Sequence, residues 1–207
     1  MESSLLLSIT ETIATLAFGI SGILLAARYR LDMVGITAVA LISAFGGGTL
    51  RDILLDKRPF FWMSHSQWLL FFLVLSPLSV RFLKQQHRST LSKAIQFPDT
   101  LGLALFTLVG VQTALDMKMS WIVAILMGVI TSSFGGVIAE LCCKKIPSIF
   151  KNHRPYASIS LAGGTLFILL LEFGLHQPLA FLVAFITIVV LKLLSHYKNW
   201  HLPEWRD

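Results

Sequence analysis

The residues most able to do chemistry in this sequence form one run: Gly46, Gly47, Gly48, Thr49, Leu50, Arg51 and Asp52. A second run, Gly135, Gly136, Val137, Ile138, Ala139 and Glu140, repeats its pattern 88 residues later. Each glycine costs about 1 kcal/mol in a helix interior relative to alanine, so three together predict a broken helix. A break frees carbonyls on one half-helix and amides on the other, and such groups coordinate ions or polar solutes. Arg51 and Asp52 then open the second half-helix, where charges are expensive against lipid and are functional candidates by default. Glu11 and Asp99 form a further pair of acids at the same spacing of 88. The competing reading of the glycines is close helix packing. The adjacent charges and the matching second run favour a pathway over packing alone.

These residues need a scaffold, and composition says which kind. Of 207 residues, 55% are hydrophobic and 14% charged, against about 25% charged in a typical soluble domain. Mean hydropathy is +0.75. The apolar residues fall in long blocks, as membrane-spanning helices require. The blocks predict seven helices: 5–27, one starting at Met33, 67–83, 100–115, one starting near Ser120, 156–173 and 178–194. They are apolar on every face, which excludes a membrane β-barrel. From Met33 to Phe45 is about 20 Å of helix at 1.5 Å per residue, so the glycines lie deep in the bilayer. The whole chain, 1–207, reads as one membrane domain. The first block has no basic segment before it, so no removable leader is expected.

The basic residues lie between the blocks, which argues against a nucleic-acid surface despite a net charge of +6. Their distribution sets topology. One side carries Arg51, Lys57, Arg58 and Lys118, four in all, and the other carries the remaining thirteen. That predicts an N-terminus outside and a C-terminus, with Trp200 and Trp205, in the cytoplasm.

A shift of 88 residues aligns the two halves without a gap. Thr12 falls on Thr100, Phe18 on Phe106, Gly22 on Gly110, Lys57 on Lys145, Pro59 on Pro147 and His65 on His153. Repeat 1 covers about 5–83 and repeat 2 about 98–173, with helix 7 outside both. Three helices per repeat is an odd number, so the second copy enters the membrane from the opposite side. That is the inverted-repeat construction of many transporters.

This pattern resembles the bacterial branch of the trimeric intracellular cation channel (TRIC) family, also described as a glycine-transporter-type membrane domain. The resemblance is carried by Ile20, Ser21 and Gly22, by the run from Gly46 to Asp52, by Pro59 with Phe60, Phe61 and Trp62, by Gly135 and Gly136, and by the stretch opening Asp99, Thr100, Leu101 and Gly102. It implies seven helices per subunit, a homotrimer in a bacterial-type inner membrane, and one pore in each subunit along helices 2 and 5. It also implies permeation by monovalent cations, chiefly potassium. The sequence departs from the family in the second run, where Phe134, Ala139 and Glu140 replace a third glycine and an Arg-Asp pair.

The candidate path is therefore Gly46, Gly47, Gly48, Thr49, Arg51, Asp52, Gly135, Gly136, Glu140, Glu11 and Asp99. Asp99 also reads as an N-terminal helix acid favoured by the dipole. Glu172 and Lys192 read as helix-end charges that reach water. Cys142 and Cys143 are adjacent and have no metal-ligand spacing around them, so they read as inert thiols. No nucleophile-base set, phosphate loop or dinucleotide fingerprint occurs. No enzyme activity, metal or cofactor is expected. The alternatives to a channel are a small-solute secondary transporter of the glycine type and, more weakly, a membrane assembly protein that transports nothing.

Overall fold

The computed structural model describes residues 2–83, 86–151 and 155–198. His153, Lys84, Trp200 and Trp205 lie outside them. Among the described residues every regular element is helical: α1 (Glu2–Arg28), α2 (Met33–Leu54), α3 (Phe61–Ser64), α4 (Ser66–Leu83), α5 (Arg88–Asp116), α6 (Trp121–Cys142), α7 (Ser148–Lys151), α8 (Ala157–Glu172) and α9 (Gln177–Tyr197). Six of these are long and apolar enough to cross a membrane, and α8 is a shorter apolar helix of 16 residues. The predicted helices 1 to 7 correspond to α1, α2, α4, α5, α6, α8 and α9. The short helices α3 and α7 occupy the connections before α4 and α8.

Local chemistry explains several boundaries. The Asp32 carboxylate accepts from the Gly35 N–H at 2.7 Å and caps α2. Gly174, at φ +80°, follows the end of α8, where only glycine turns back without strain. Two boundaries differ from the sequence expectation. The fourth helix begins at Arg88 rather than Thr100, because residues 88–97 carry polar groups that hide a helix from an apolar window. Asp99 is consequently eleven residues inside α5 and not at its N-terminus, so the dipole reading of this acid fails.

The second difference concerns the glycines. Both α2 and α6 run through them as uninterrupted α-helices. The expected breaks at Gly46, Gly47 and Gly48 and at Gly135 and Gly136 are absent. The physical reason is packing. A Cβ on Gly47 would lie 2.0 Å from the Thr131 carbonyl oxygen, and one on Gly135 would lie 2.8 Å from the Ser43 carbonyl oxygen. Helices α2 and α6 cross backbone to backbone there, as small residues permit. Burial of this contact offsets the weak helix propensity of the glycines.

The spacing of 88 recurs throughout the fold. Adding it to both bounds of α2 gives both bounds of α6, and the last residues of α1 and α5 are related in the same way. Contacts follow suit. Gly22 meets the Val39 oxygen and the Ser43 side chain, while Gly110 meets the Met127 oxygen and the Thr131 side chain. Phe18 and Phe106, themselves 88 apart, stack on one another at 5.3 Å. The buried apolar residues form two clusters, one on α1, α2 and α4 and one centred on α5, α6, α8 and α9. Outward faces stay apolar, as with Leu70, Val74, Leu78 and Phe82 on α4. A bilayer covers such a face; water does not.

Candidate functional site

Two charged clusters lie at equivalent positions in the two halves, and they differ in kind. In the first, Arg51 on α2 is fully buried between Glu11 on α1 and its neighbour Asp52, which are 4% and 1% exposed. Its Nη2 donates to Glu11 Oε1 at 2.6 Å, and its Nε donates to Asp52 Oδ1 at 2.8 Å. The sequence singled out all three residues but not their union, since Glu11 and Arg51 are 40 residues apart. Burial of this kind is tolerated only when the charges are paired. The remaining nitrogen, Nη1, has no partner.

In the second cluster the arginine position is Ala139, and the two acids find lysines from elsewhere. Glu140 is paired with Lys145, and it accepts from the Ser148 hydroxyl at 2.6 Å and the Ser148 N–H at 2.5 Å. Asp99 accepts from the Tyr156 hydroxyl at 3.0 Å and lies 3.6 Å from Lys192 Nζ. That ammonium also sits 3.6 Å from the centre of the Tyr156 ring. Lys192 therefore turns inward and does not simply reach water past a helix end, because Asp99 and the ring hold it. Both lysines and both acids in this cluster are partly exposed.

The exposure comes from a cavity of about 330 Å³. One stripe of α6 lines it: Ser133, Gly136, Val137 and Glu140. Facing residues come from α1 (Phe18, Ser21 and Arg28), α5 (Gln96, Asp99 and Thr100) and α9 (Lys192 and His196), with Ser43 of α2 where α2 crosses α6. Of the expected path residues, Gly136, Glu140 and Asp99 line this vestibule. Gly47 and Gly135 form the helix crossing, with Gly46 beside it, 3.4 Å from the Gly135 Cα when given a Cβ. Gly48 faces Glu11, and Thr49 is half-buried away from the cavity. Sequence reasoning missed Lys145, Ser148, Tyr156, Lys192, Ser43 and Ser133. A lysine inside the apolar helix α9 was the available signal for Lys192. The 133, 136, 140 spacing was the signal for the stripe.

The equivalent space in the first half is filled. Phe45 stands where the second half has the cavity-lining Ser133, and it packs edge to face at 6.1 Å on Phe72, whose counterpart is the buried Ser160. Phe72 is fully buried over Gly19, where a Cβ would meet the ring at 2.0 Å. In the second half Thr107, Ser160 and Ser132 replace Gly19, Phe72 and Ala44. The Ser160 hydroxyl bonds Thr107 Oγ1 at 2.7 Å and Ser132 Oγ at 2.8 Å.

At the C-terminal end of α6, Cys142 is exposed and Cys143 buried. Burial, followed by Cys142 and Glu140, pushes the Cys143 thiol up to about 11.

Long apolar helices, charges paired inside the bundle and a polar cavity lined by several helices define a polytopic helical membrane protein. The chain belongs to the glycine transporter family, whose model matches residues 8–84 and again residues 96–172. The two matches are offset by 88 residues at both ends. Among curated relatives, the UPF0126 membrane protein of Vibrio cholerae is 31% identical over 197 residues, covering 95% of this chain and 81% of its own. The UPF0126 inner membrane protein YadS of Escherichia coli is 36% identical over 155 residues, covering 74% of this chain and 73% of its own. Solved TRIC channels share the fold. The TRIC orthologue of Rhodobacter sphaeroides superposes with a TM-score of 0.85 at 26% identity, covering 94% of this chain and 99% of that one. A prokaryotic TRIC channel gives 0.85 at 27% identity, covering 96% and 100%. These structural relatives are channels, not enzymes.

Proposed function

We infer that this chain is a cation channel of the TRIC type. In this reading seven helices span the membrane as two three-helix copies of opposite orientation, with α9 outside the repeat. Helix α8, at about 24 Å for 16 residues, is shorter than the roughly 30 Å hydrocarbon core and crosses where its neighbours shield its ends. Each subunit of a homotrimer carries its own path, which follows the α2–α6 crossing and passes potassium. The chain resides in an inner membrane, as the name of the Escherichia coli relative says of that protein. Arg51 is fully buried, so removing it from the topology count leaves three basic residues on one side against thirteen. That difference supports an outer N-terminus and a cytoplasmic mouth for the vestibule.

One observation carries the reading: a vestibule with two acids at its mouth runs along a single stripe of α6 to the helix crossing. The carboxylates offset the lysines that line the mouth, and the hydroxyls and glycine beyond them offer a polar path with weak sites, as conduction requires. A carrier built on inverted repeats exchanges the conformations of its two halves. The solved structures that share this fold over 94% or more of the chain are channels, which favours a channel over a glycine-type carrier.

The test is flux from purified protein in liposomes, with potassium compared against glycine. Potassium flux, with potassium at least as permeant as sodium, is expected. Glycine uptake without cation current would transfer the assignment to the carrier, and no flux of either would leave the assembly protein.

A further inference from the structure

The vestibule ends at a hydroxyl that the fold leaves unused. Three successive hydroxyl residues, Thr131, Ser132 and Ser133, lie on α6 just before the glycine pair. Thr131 donates to the Met127 carbonyl at 2.6 Å, and Ser132 donates to the Gly128 carbonyl at 2.9 Å. Back-bonding to the carbonyl four residues earlier is the usual resort of a hydroxyl inside an apolar helix. Ser133 does not use it. Its Oγ has no partner, although the residue is only 3% exposed. Ser133 lines the cavity together with Ser43 of α2, and its Oγ is covered within the wall. One turn closer to the mouth, Gly136 leaves the space open, for a Cβ there would meet nothing within 4 Å. A buried oxygen without a hydrogen bond is costly, and such an atom in a native wall calls for an explanation.

We propose that Ser133, with Ser43 beside it, forms a site for a partly dehydrated alkali-metal cation that sets the channel's preference among monovalent cations. The proposal rests on the channel reading above and adds where discrimination occurs. The acids at the mouth do not distinguish species, since they are partly exposed and already paired with lysines. Discrimination requires oxygens close enough to replace water in the ion's shell. The neutral hydroxyls of Ser133 and Ser43 in the cavity wall supply them once the Ser133 side chain turns toward the ion. Divalent ions take six or more oxygens, usually with carboxylates among them, and do not fit this set. In the first half the equivalent of Ser133 is Phe45, so the site exists once per chain.

The experiment is the reversal potential of purified protein in planar bilayers with potassium on one side and sodium on the other, for wild type, Ser133→Ala, Ser133→Thr and Ser132→Ala. Ser133→Ala is expected to change the potassium-to-sodium permeability ratio by about threefold or more, the order of one lost polar interaction. Ser133→Thr keeps the hydroxyl and stays near wild type. Ser132→Ala removes a neighbouring hydroxyl committed to Gly128 and Ser160 and leaves the ratio unchanged. Thermal melting separates this from a structural role: Ser133→Ala melts at or above the wild-type temperature, because no hydrogen bond is lost. An unchanged ratio in Ser133→Ala, or an equal change in Ser132→Ala, would overturn the proposal while leaving the channel reading intact. A wild-type protein that passes no cation would remove the channel reading itself.

Discussion

The Glu11–Arg51–Asp52 cluster and the Glu140–Asp99 region occupy the same place in the two halves of one frame, yet one is sealed and the other is open. In the sealed half a single arginine bridges both acids and two phenylalanine rings fill the adjoining space. In the open half alanine replaces the arginine, serines replace the rings, and Lys145 after α6 and Lys192 on α9 reach in to the acids. The helices barely differ between halves. A duplicated backbone therefore acquires polarity through a few side-chain exchanges: Arg51 against Ala139, Phe45 against Ser133, and Phe72 against Ser160. On the channel reading proposed above, the sealed half supplies stability and the open half supplies access.

The sharpest way to break this comparison is to remove the arginine. Arg51→Ala leaves two buried carboxylates without a partner, which costs about 3–5 kcal/mol. The thermal melting temperature in detergent falls steeply, and Glu11→Gln in the same chain recovers part of the loss. The glycines give the next largest contrast. Gly47→Ala places a methyl group against the Thr131 carbonyl and destabilises by about 3 kcal/mol, the upper end for overpacking. Gly136→Ala meets open space and gains up to about 1 kcal/mol of helix propensity. Equal melting temperatures for these two variants would dissolve the distinction between crossing and vestibule.

The acids separate the halves more gently. Asp52→Asn costs about 1–3 kcal/mol through its buried hydrogen bond to Arg51. Glu140→Gln, being partly exposed, costs under about 1 kcal/mol but leaves Lys145 uncompensated at the mouth and lowers potassium flux at low ionic strength, where that charge is screened least. Liposome flux at two salt concentrations measures it. The smallest effect is at the end of α6. Cys142 is alkylated first. Cys143, raised to about 11, is protonated at pH 8 except for roughly one molecule in a thousand. Its labelling rate in detergent keeps climbing up to about pH 11.

Much of this frame is legible in the sequence, and the exceptions have physical causes. Apolar blocks mark the spanning helices because lipid demands continuous apolar length. The first turns of α5 escaped because their polar residues, among them Ser92 and Gln96 of the cavity wall, interrupt the apolar run. The triple glycine suggested a break because helix propensity is local, whereas the contacts of Gly47 with Thr131 and Gly135 with Ser43 join segments 88 residues apart. Glu11, Arg51 and Asp52 were identifiable by type, but which acids the arginine meets is a tertiary fact. Lys145 and Lys192 were hidden for the opposite reason, since lysines near helix ends ordinarily mark topology.

The most direct test of the vestibule is chemical block at Gly136. Gly136→Cys, in a chain with Cys142→Ala and Cys143→Ala, places one thiol in the open stripe between Glu140 and Ser133. Purified protein in liposomes is modified to completion with a bulky thiol reagent that forms a mixed disulfide, and potassium flux is measured before and after. The vestibule account predicts near-complete loss of flux, from the cytoplasmic face only, with recovery on reduction. Full potassium flux after quantitative modification would contradict it.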